Sequence, residues 1–277
     1  MTGDSLARSG RFGKPRAKRG LDMDAVKVRK AVVIGASSGI GRAVAKVLAR
    51  EGYVLGLTAR RTDLLEELKK EIPATCYVKH MDLRDPDEAM DVLKKLIAEM
   101  GGVDLAVINS GVNRQDPNFE WEAEREVLAV NVTGFVAMAN VVAQYFLLQG
   151  AGHLVGISSF AGIRGTGRAP VYCASKSFVS VFLEGLRQRI GGKNIFVTDI
   201  RPGFVDTTMI QGNRYLFWVS PADRAAEQIF GAIRRKERVT YITRRWGILA
   251  WIYKLVPGPI FDWMYRSFVH GKVPYKA

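Results

Sequence analysis

Tyr172 and Lys176 stand four residues apart in PVYCASKSFVSVFLEGLRQRI, a stretch whose apolar residues recur at helical spacing. On a helix that spacing puts both side chains on one face. An ammonium beside a phenol favours the phenolate and lowers the tyrosine pKa from its reference of about 10. Such a tyrosine is a usable general acid for a carbonyl oxygen as hydride reaches the carbon. Ser159, thirteen residues earlier and just past a strand-like run, supplies a hydroxyl that can hold the developing oxyanion. Tyrosine and lysine share this spacing by chance in many helices, so the surroundings decide what the pair means.

A second cluster lies upstream. The apolar run Ala31–Ile34 leads directly into Gly35-Ala36-Ser37-Ser38-Gly39-Ile40-Gly41, which opens a helix. Gly35, Gly39 and Gly41 allow a tight turn and close approach of backbone to a pyrophosphate, which the helix N-terminus then attracts. An NAD site places a carboxylate on the ribose about 20 residues further on. This chain has Thr58-Ala59-Arg60-Arg61 there, so nothing repels a 2′-phosphate and two guanidiniums can bind it. NADP(H) is favoured, with Arg60 on the phosphate and Arg61 stacked on adenine. The competing reading is a surface arginine pair capping a loop.

These residues need a frame that brings them together. Strand-like runs at Ala31–Ile34, Tyr53–Thr58, Thr75–Val78, Asp104–Asn109, His153–Ser158 and Ile195–Ile200 alternate with helical stretches. The helices are expected near Ile40–Glu51, Asp63–Glu71, Pro86–Met100, Glu122–Gln149 and Pro170–Ile190. The first strands are apolar throughout, as when helices cover both faces of a parallel sheet. The fold class is therefore α/β: a single Rossmann-type, doubly wound parallel sheet flanked by helices, with a basic aromatic C-terminal helical extension.

Charge divides the 277 residues into three parts. The net charge is +14, yet residues 1–30 hold nine Lys/Arg against three Asp/Glu, and residues 234–277 ten against two. The span between is neutral, which argues against a nucleic-acid-binding domain. Residues 1–24 read as a disordered basic arm with neither the apolar core of a secretory signal nor an apolar run. Residues 25–235 form the catalytic domain, and 236–277 the extension. Trp246 to Phe268 is aromatic and basic, broken by Pro257, Gly258 and Pro259, and too short in its apolar run to span a bilayer. It suits either a peripheral membrane contact or a packed tail. The expected location is cytoplasmic, with the membrane surface as an open alternative. Two cysteines and three scattered histidines imply neither disulfides nor a metal site.

Taken together, the chain resembles the short-chain dehydrogenase/reductase family. The resemblance rests on GASSGIG at 35–41, Asp82 after the third strand, NSG at 109–111 and Asn131. It continues through SS at 158–159, YCASK at 172–176 and PGFVDTT at 202–208, in the family's order and over roughly residues 30–235. Two positions depart from the pattern: Ile34 replaces a threonine before the first glycine, and Ser110 replaces an alanine. The resemblance implies that Tyr172 is the acid/base, and that Lys176 tunes it and holds the nicotinamide ribose. Ser159 positions substrate in preference to Ser158, and Asn131 holds a water in a proton relay. Asp82, with Leu83 beside it, would contact adenine; Asn109, Ser110 and Gly111 would line the adenosine side. Pro202, Gly203, Val205 and Thr207 would grip the nicotinamide end, and a homo-oligomer paired through the two long helices is implied.

The expected function is NADPH-dependent reduction of a lipophilic ketone or aldehyde, with long-chain 3-oxo lipids, 3-ketosphingoid bases and sterol-like ketones ranked first. The aromatic run Met209–Val219, with Tyr215, Phe217 and Trp218, stands where the family places a substrate lid. Oxidation of a secondary alcohol by the same residues is the alternative. A non-catalytic dinucleotide-binding sensor or scaffold is the alternative of another class.

Overall fold

Beyond Lys30 the run KAVVI has no polar side chain, and it forms strand β1 (Lys30–Ile34), with Ala31 to Ile34 all buried. A strand apolar on both faces needs cover on both. The computed structural model describes residues 28–114, 118, 120–192, 194–210 and 216–268. The basic arm 1–24, Tyr215 of the expected lid and residues 269–277 lie outside them.

The other strands are β2 (Val54–Ala59), β3 (Cys76–His80), β4 (Leu105–Ile108), β5 (Gly152–Ile157), β6 (Ile195–Pro202) and β7 (Val239–Ile242). All pair in parallel, in the order β3-β2-β1-β4-β5-β6-β7. Side chains alternate across β1: Ala31 and Val33 join a core with helices α1 (Gly39–Arg50), α2 (Thr62–Glu71) and α7 (Ala222–Arg234). Val32 and Ile34 join the opposite core, with α3 (Pro86–Glu99), α5 (Phe135–Gln149) and α6 (Pro170–Ile190). The chain runs outward from β1 through β2 to β3, then returns to place β4 on β1's other side. That reversal opens a crevice beyond the C-terminal ends of β1 and β4.

The helix expected over Glu122–Gln149 is interrupted. Helix α4 (Trp121–Leu128) passes through a π-turn at Ala129–Gly134 into α5. Among the described residues this is the one helix long and apolar enough to cross a membrane, and most of it is buried in the fold.

β7 and α7 were not among the expected elements. β7 pairs Asp199 to Pro202 of β6 with Val239 to Ile242, so the sheet runs past residue 235. Its VTYI is short and half-buried, and the surrounding arginines mask its period.

The extension folds as α8 (Arg244–Leu255) and α9 (Gly258–Phe268). Trp246, where the expected membrane segment begins, faces inward and is fully buried. A Cβ on Gly203 would lie 2.0 Å from its indole. The rings of Phe160, Phe217 and Phe204 stand 4.7, 5.1 and 5.4 Å away. Trp246 is thus a core residue that ties the extension to the end of β6. Trp246→Ala is expected to cost about 3–5 kcal/mol, read as a lowered urea midpoint; a loss under about 1 kcal/mol would mean the extension is not integral to the domain.

Candidate active site

β1 leads into Gly35, whose φ of +88° suits glycine, and the amides of Gly35 and Ala36 donate to Thr58 O of β2 at 2.8 and 3.1 Å. The turn then closes against the first turn of α1. A Cβ on Gly41 would lie 2.1 Å from Gly35 O and 2.5 Å from Asn109 Nδ2, so only glycine fits. Asn109 Nδ2 donates to Gly35 O at 2.8 Å, pinning the end of β4 to the turn. Ser110 packs on Gly35, and Thr207 on Gly39. The first turn of α1 has no acidic residue and no side-chain cap, so the positive end of the helix is open to an anion.

A cavity of roughly 700 Å³ lies over these ends. Of the expected site residues, all except Gly41 and Asn131 border it: Gly35, Ser37 to Ile40, Arg60, Arg61, Asp82, Leu83, Asn109 to Gly111, Ser159, Tyr172, Lys176, Pro202, Gly203, Val205 and Thr207. Gly41 lies behind the turn, and Asn131 behind Gly111, where a Cβ would meet Asn131 Oδ1 at 3.4 Å and Lys176 Nζ at 3.1 Å.

The two arginines have different partners. Arg61 Nη2 donates to Ser38 Oγ at 2.8 Å and Ser37 Oγ at 3.2 Å, directly at the glycine turn. Arg60 reaches Glu126 of α4 at 3.4 Å, and Arg114 holds the other carboxylate oxygen at 2.7 Å. Glu126 is 66 residues from Arg60 in the chain, a partner that spacing along the sequence does not reveal. Asp82 accepts from the Arg84 amide at 3.0 Å and its Nε at 2.8 Å. Two guanidiniums, two serine hydroxyls and a bare helix end form a cradle whose donors fit a phosphorylated dinucleotide.

At the other end, Lys176 is buried, and its Nζ donates to Ile157 O at 2.9 Å. Burial pulls its pKa down to about 8, with the carboxylate of Asp199 acting in opposition. Tyr172 keeps part of its surface open to the cavity, yet the protein packed around it pushes its pKa up to about 12. A hydrogen bond with Ser159 pulls the other way. The shift is therefore opposite to the lowering expected from the lysine: desolvation outweighs any help to the phenolate, and the ammonium is directed at Ile157 O.

Ser158 and Ser159 are sorted by geometry. Ser158 Oγ is buried, donating to Asp199 and, at 3.1 Å, to Ile200 O. Ser159 caps the short 3-10 turn Phe160–Ile163 by accepting from Ala161 N at 3.1 Å, and its hydroxyl meets Tyr172. Asn131 sits in the π-turn, accepting from Val112 N at 2.8 Å and donating to Val112 O at 2.9 Å and Ser175 Oγ at 3.0 Å. Ser175 donates to Tyr172 O at 2.7 Å, so the π-turn is fastened between the tyrosine and the lysine.

Two features escaped sequence reasoning. Asp199 is fully buried, paired with Arg201 at 2.7 Å and with Ser158; an acid inside the apolar run of β6 was the available signal. The other is an aromatic wall from distant segments, in which Phe160, Trp246, Tyr253, Phe261 and Tyr265 continue the cavity beyond Tyr172. Among the described residues no group of His, Cys, Asp and Glu could hold a metal ion.

Known proteins resemble this chain in sequence and fold. A family model described as short chain dehydrogenase matches residues 29–215. An uncharacterized oxidoreductase of Myxococcus xanthus is 34% identical over 246 residues, spanning 87% of this chain and 97% of that protein. The alcohol dehydrogenase of Thermococcus sibiricus, solved in complex with 5-hydroxy-NADP, is 26% identical with a TM-score of 0.69, over 78% of this chain and 95% of that one. A bulky-bulky ketone specific alcohol dehydrogenase of Comamonas testosteroni is 22% identical with a TM-score of 0.68, over 90% and 96%, a likeness of fold.

The lowered Lys176 pKa has a consequence for stability. Between about 8 and the ordinary 10.5, the unfolded chain holds a proton that the folded protein has released. Stability therefore gains from Lys176 as pH rises through that window, and Tyr172 adds the opposite slope above about pH 10. Lys176→Met is expected to flatten the rise in urea midpoint between about pH 8 and about pH 10; an unchanged slope would show that Lys176 does not titrate there.

Proposed function

Because the chain belongs to the short-chain dehydrogenase family, we propose that this oxidoreductase is an NADPH-dependent carbonyl reductase for apolar ketones or aldehydes. The observation that carries the reading is the aromatic wall continuous with Tyr172 in one cavity. Long-chain 3-oxo lipids, 3-ketosphingoid bases and sterol-like ketones are the substrate classes it suits.

Bound NADPH supplies the hydride. Arg61 and Arg60, with Ser37 and Ser38, would hold its 2′-phosphate, and the open end of α1 would take the pyrophosphate. Ser159 donates to the substrate carbonyl oxygen and fixes it against Tyr172. As negative charge grows on that oxygen, the Tyr172 hydroxyl gives up its proton to it. Lys176 then faces a phenolate rather than a phenol, and its positive charge favours that state. Asn131, locked to Val112 and Ser175, keeps Gly111 and Lys176 at fixed separation and orders the route by which Tyr172 recovers a proton.

A tyrosine that stays protonated up to about 12 is in the form from which reduction starts; the same residues run in reverse oxidise an alcohol, and the preference for NADP(H) is what favours reduction. The complete set of Asn131, Ser159, Tyr172 and Lys176 disfavours a non-catalytic sensor.

Purified protein is assayed by NADPH oxidation across carbonyl compounds graded in chain length, with NADH in parallel. Turnover is expected to rise with chain length and to require NADPH; equal rates with NADH would overturn the cofactor assignment. Tyr172→Phe is expected to lower kcat by about a hundredfold or more with NADPH binding retained, and full activity would remove its proton-transfer role. Arg61→Ala is expected to raise the KM for NADPH by about tenfold and leave that for NADH unchanged.

A further inference from the structure

Helix α8 is apolar on two sides. Trp246, Ala250 and Tyr253 form an inner stripe, with Trp246 and Ala250 buried and Trp246 and Tyr253 lining the cavity. Ile248, Trp251, Ile252 and Leu255 form a second stripe at the same helical spacing, facing outward, with Ile248 67% and Trp251 65% exposed. α9 repeats the pattern: Phe261 and Tyr265 face in, while Ile260 and Trp263 are exposed. One stripe of an amphipathic helix is enough to pack it on a domain. A second stripe holding two tryptophans needs another environment.

The charges around it identify that environment. Arg244, Arg245, Lys254 and Arg266 are exposed on the same two helices, against the single acid Asp262. Two copies meeting through this patch across a two-fold axis would bring like charges together. An anionic lipid surface meets both demands, taking tryptophan and isoleucine at the headgroup boundary and the cations at the phosphates. The hairpin is also clamped to the fold: Arg164 donates to the carbonyls of Tyr253, at 3.1 Å, and Val256 at the end of α8, and its guanidinium lies 4.4 Å from the Phe261 ring centre. Its outer face is thus presented as a fixed surface. The cavity reaches the exterior at exposed apolar residues, Met209, Phe217 and Met264, and Met264 belongs to α9 itself.

We propose that the outer face of the α8–α9 hairpin docks this protein on anionic bilayers, with the apolar rim of the cavity beside the docking surface. The docking stands apart from the reaction; that the rim receives a lipid carbonyl from the bilayer rests on the reductase reading above.

The test is flotation of the full chain with vesicles of phosphatidylcholine alone, or of phosphatidylcholine and phosphatidylglycerol in equal parts. Binding is expected to the anionic vesicles and to fall at high salt. Ile248→Glu with Trp251→Glu is expected to reduce the bound fraction about tenfold. Lys254→Gln with Arg266→Gln, surface changes that leave the apolar stripe intact, are expected to reduce it about fivefold or more. Thermal melts followed by circular dichroism establish that both variants are folded, and flotation needs no turnover, so failure of the reductase reading would leave this result standing. Wild-type protein that does not float, or folded variants that float like wild type, would overturn the proposal. So would a dimer in solution that Ile248→Glu with Trp251→Glu separates, since the patch would then belong to a second copy.

Discussion

Burying a parallel sheet on both faces is the constraint from which the rest of the molecule follows. β1 has no polar side chain after Lys30, and its alternate residues enter two separate cores. Helices must then lie on both sides, and the chain must reverse direction across the sheet between β1 and β4 to supply them. The reversal leaves a crevice at the strands' C-terminal ends. Gly35, Asn109, Ser159 and Pro202, each at or just past such an end, are brought to one place by it. The close contact of Gly41 with Gly35 O, held by Asn109, closes one side of that crevice at a separation no other residue type allows.

The opposite side is governed by burying a cation. Lys176 is almost without solvent contact, and taking an ammonium out of water is costly unless partners replace the water. Ile157 O accepts from it, and the buried carboxylate of Asp199 offsets part of the cost. Asp199 is in turn held by Ser158 and Arg201. This explains why two adjacent serines differ so sharply: Ser158 serves the buried acid and Ser159 faces the tyrosine. The π-turn has a related role. It carries Asn131, which bonds both Val112 and Ser175.

The extension joins these two economies of burial. Its inner stripe completes the cavity wall and anchors on Gly203, where any side chain would collide with Trp246. Its outer stripe is left with a composition suited to neither water nor the core. The segment that walls the cavity also carries the exposed aromatic surface, and the Arg164 clamp ties it to the fold.

The sequence by itself determined whatever depends on neighbours along the chain. Strand period, the glycine turn, the four-residue spacing of Tyr172 and Lys176 and the absence of a carboxylate after β2 were all legible, because covalent geometry sets them. The tertiary structure alone decided what depends on distance through space. Arg61 meets the serines of the glycine turn and Arg60 meets Glu126, partners far away in the chain. The tyrosine pKa moves upward, because burial outweighs a lysine directed at Ile157 O. β7 completes the sheet, and Trp246 belongs to the core while Trp251, five residues on, does not. Each of these outcomes rests on desolvation or on a partner far away in the chain, and neither is written in local spacing.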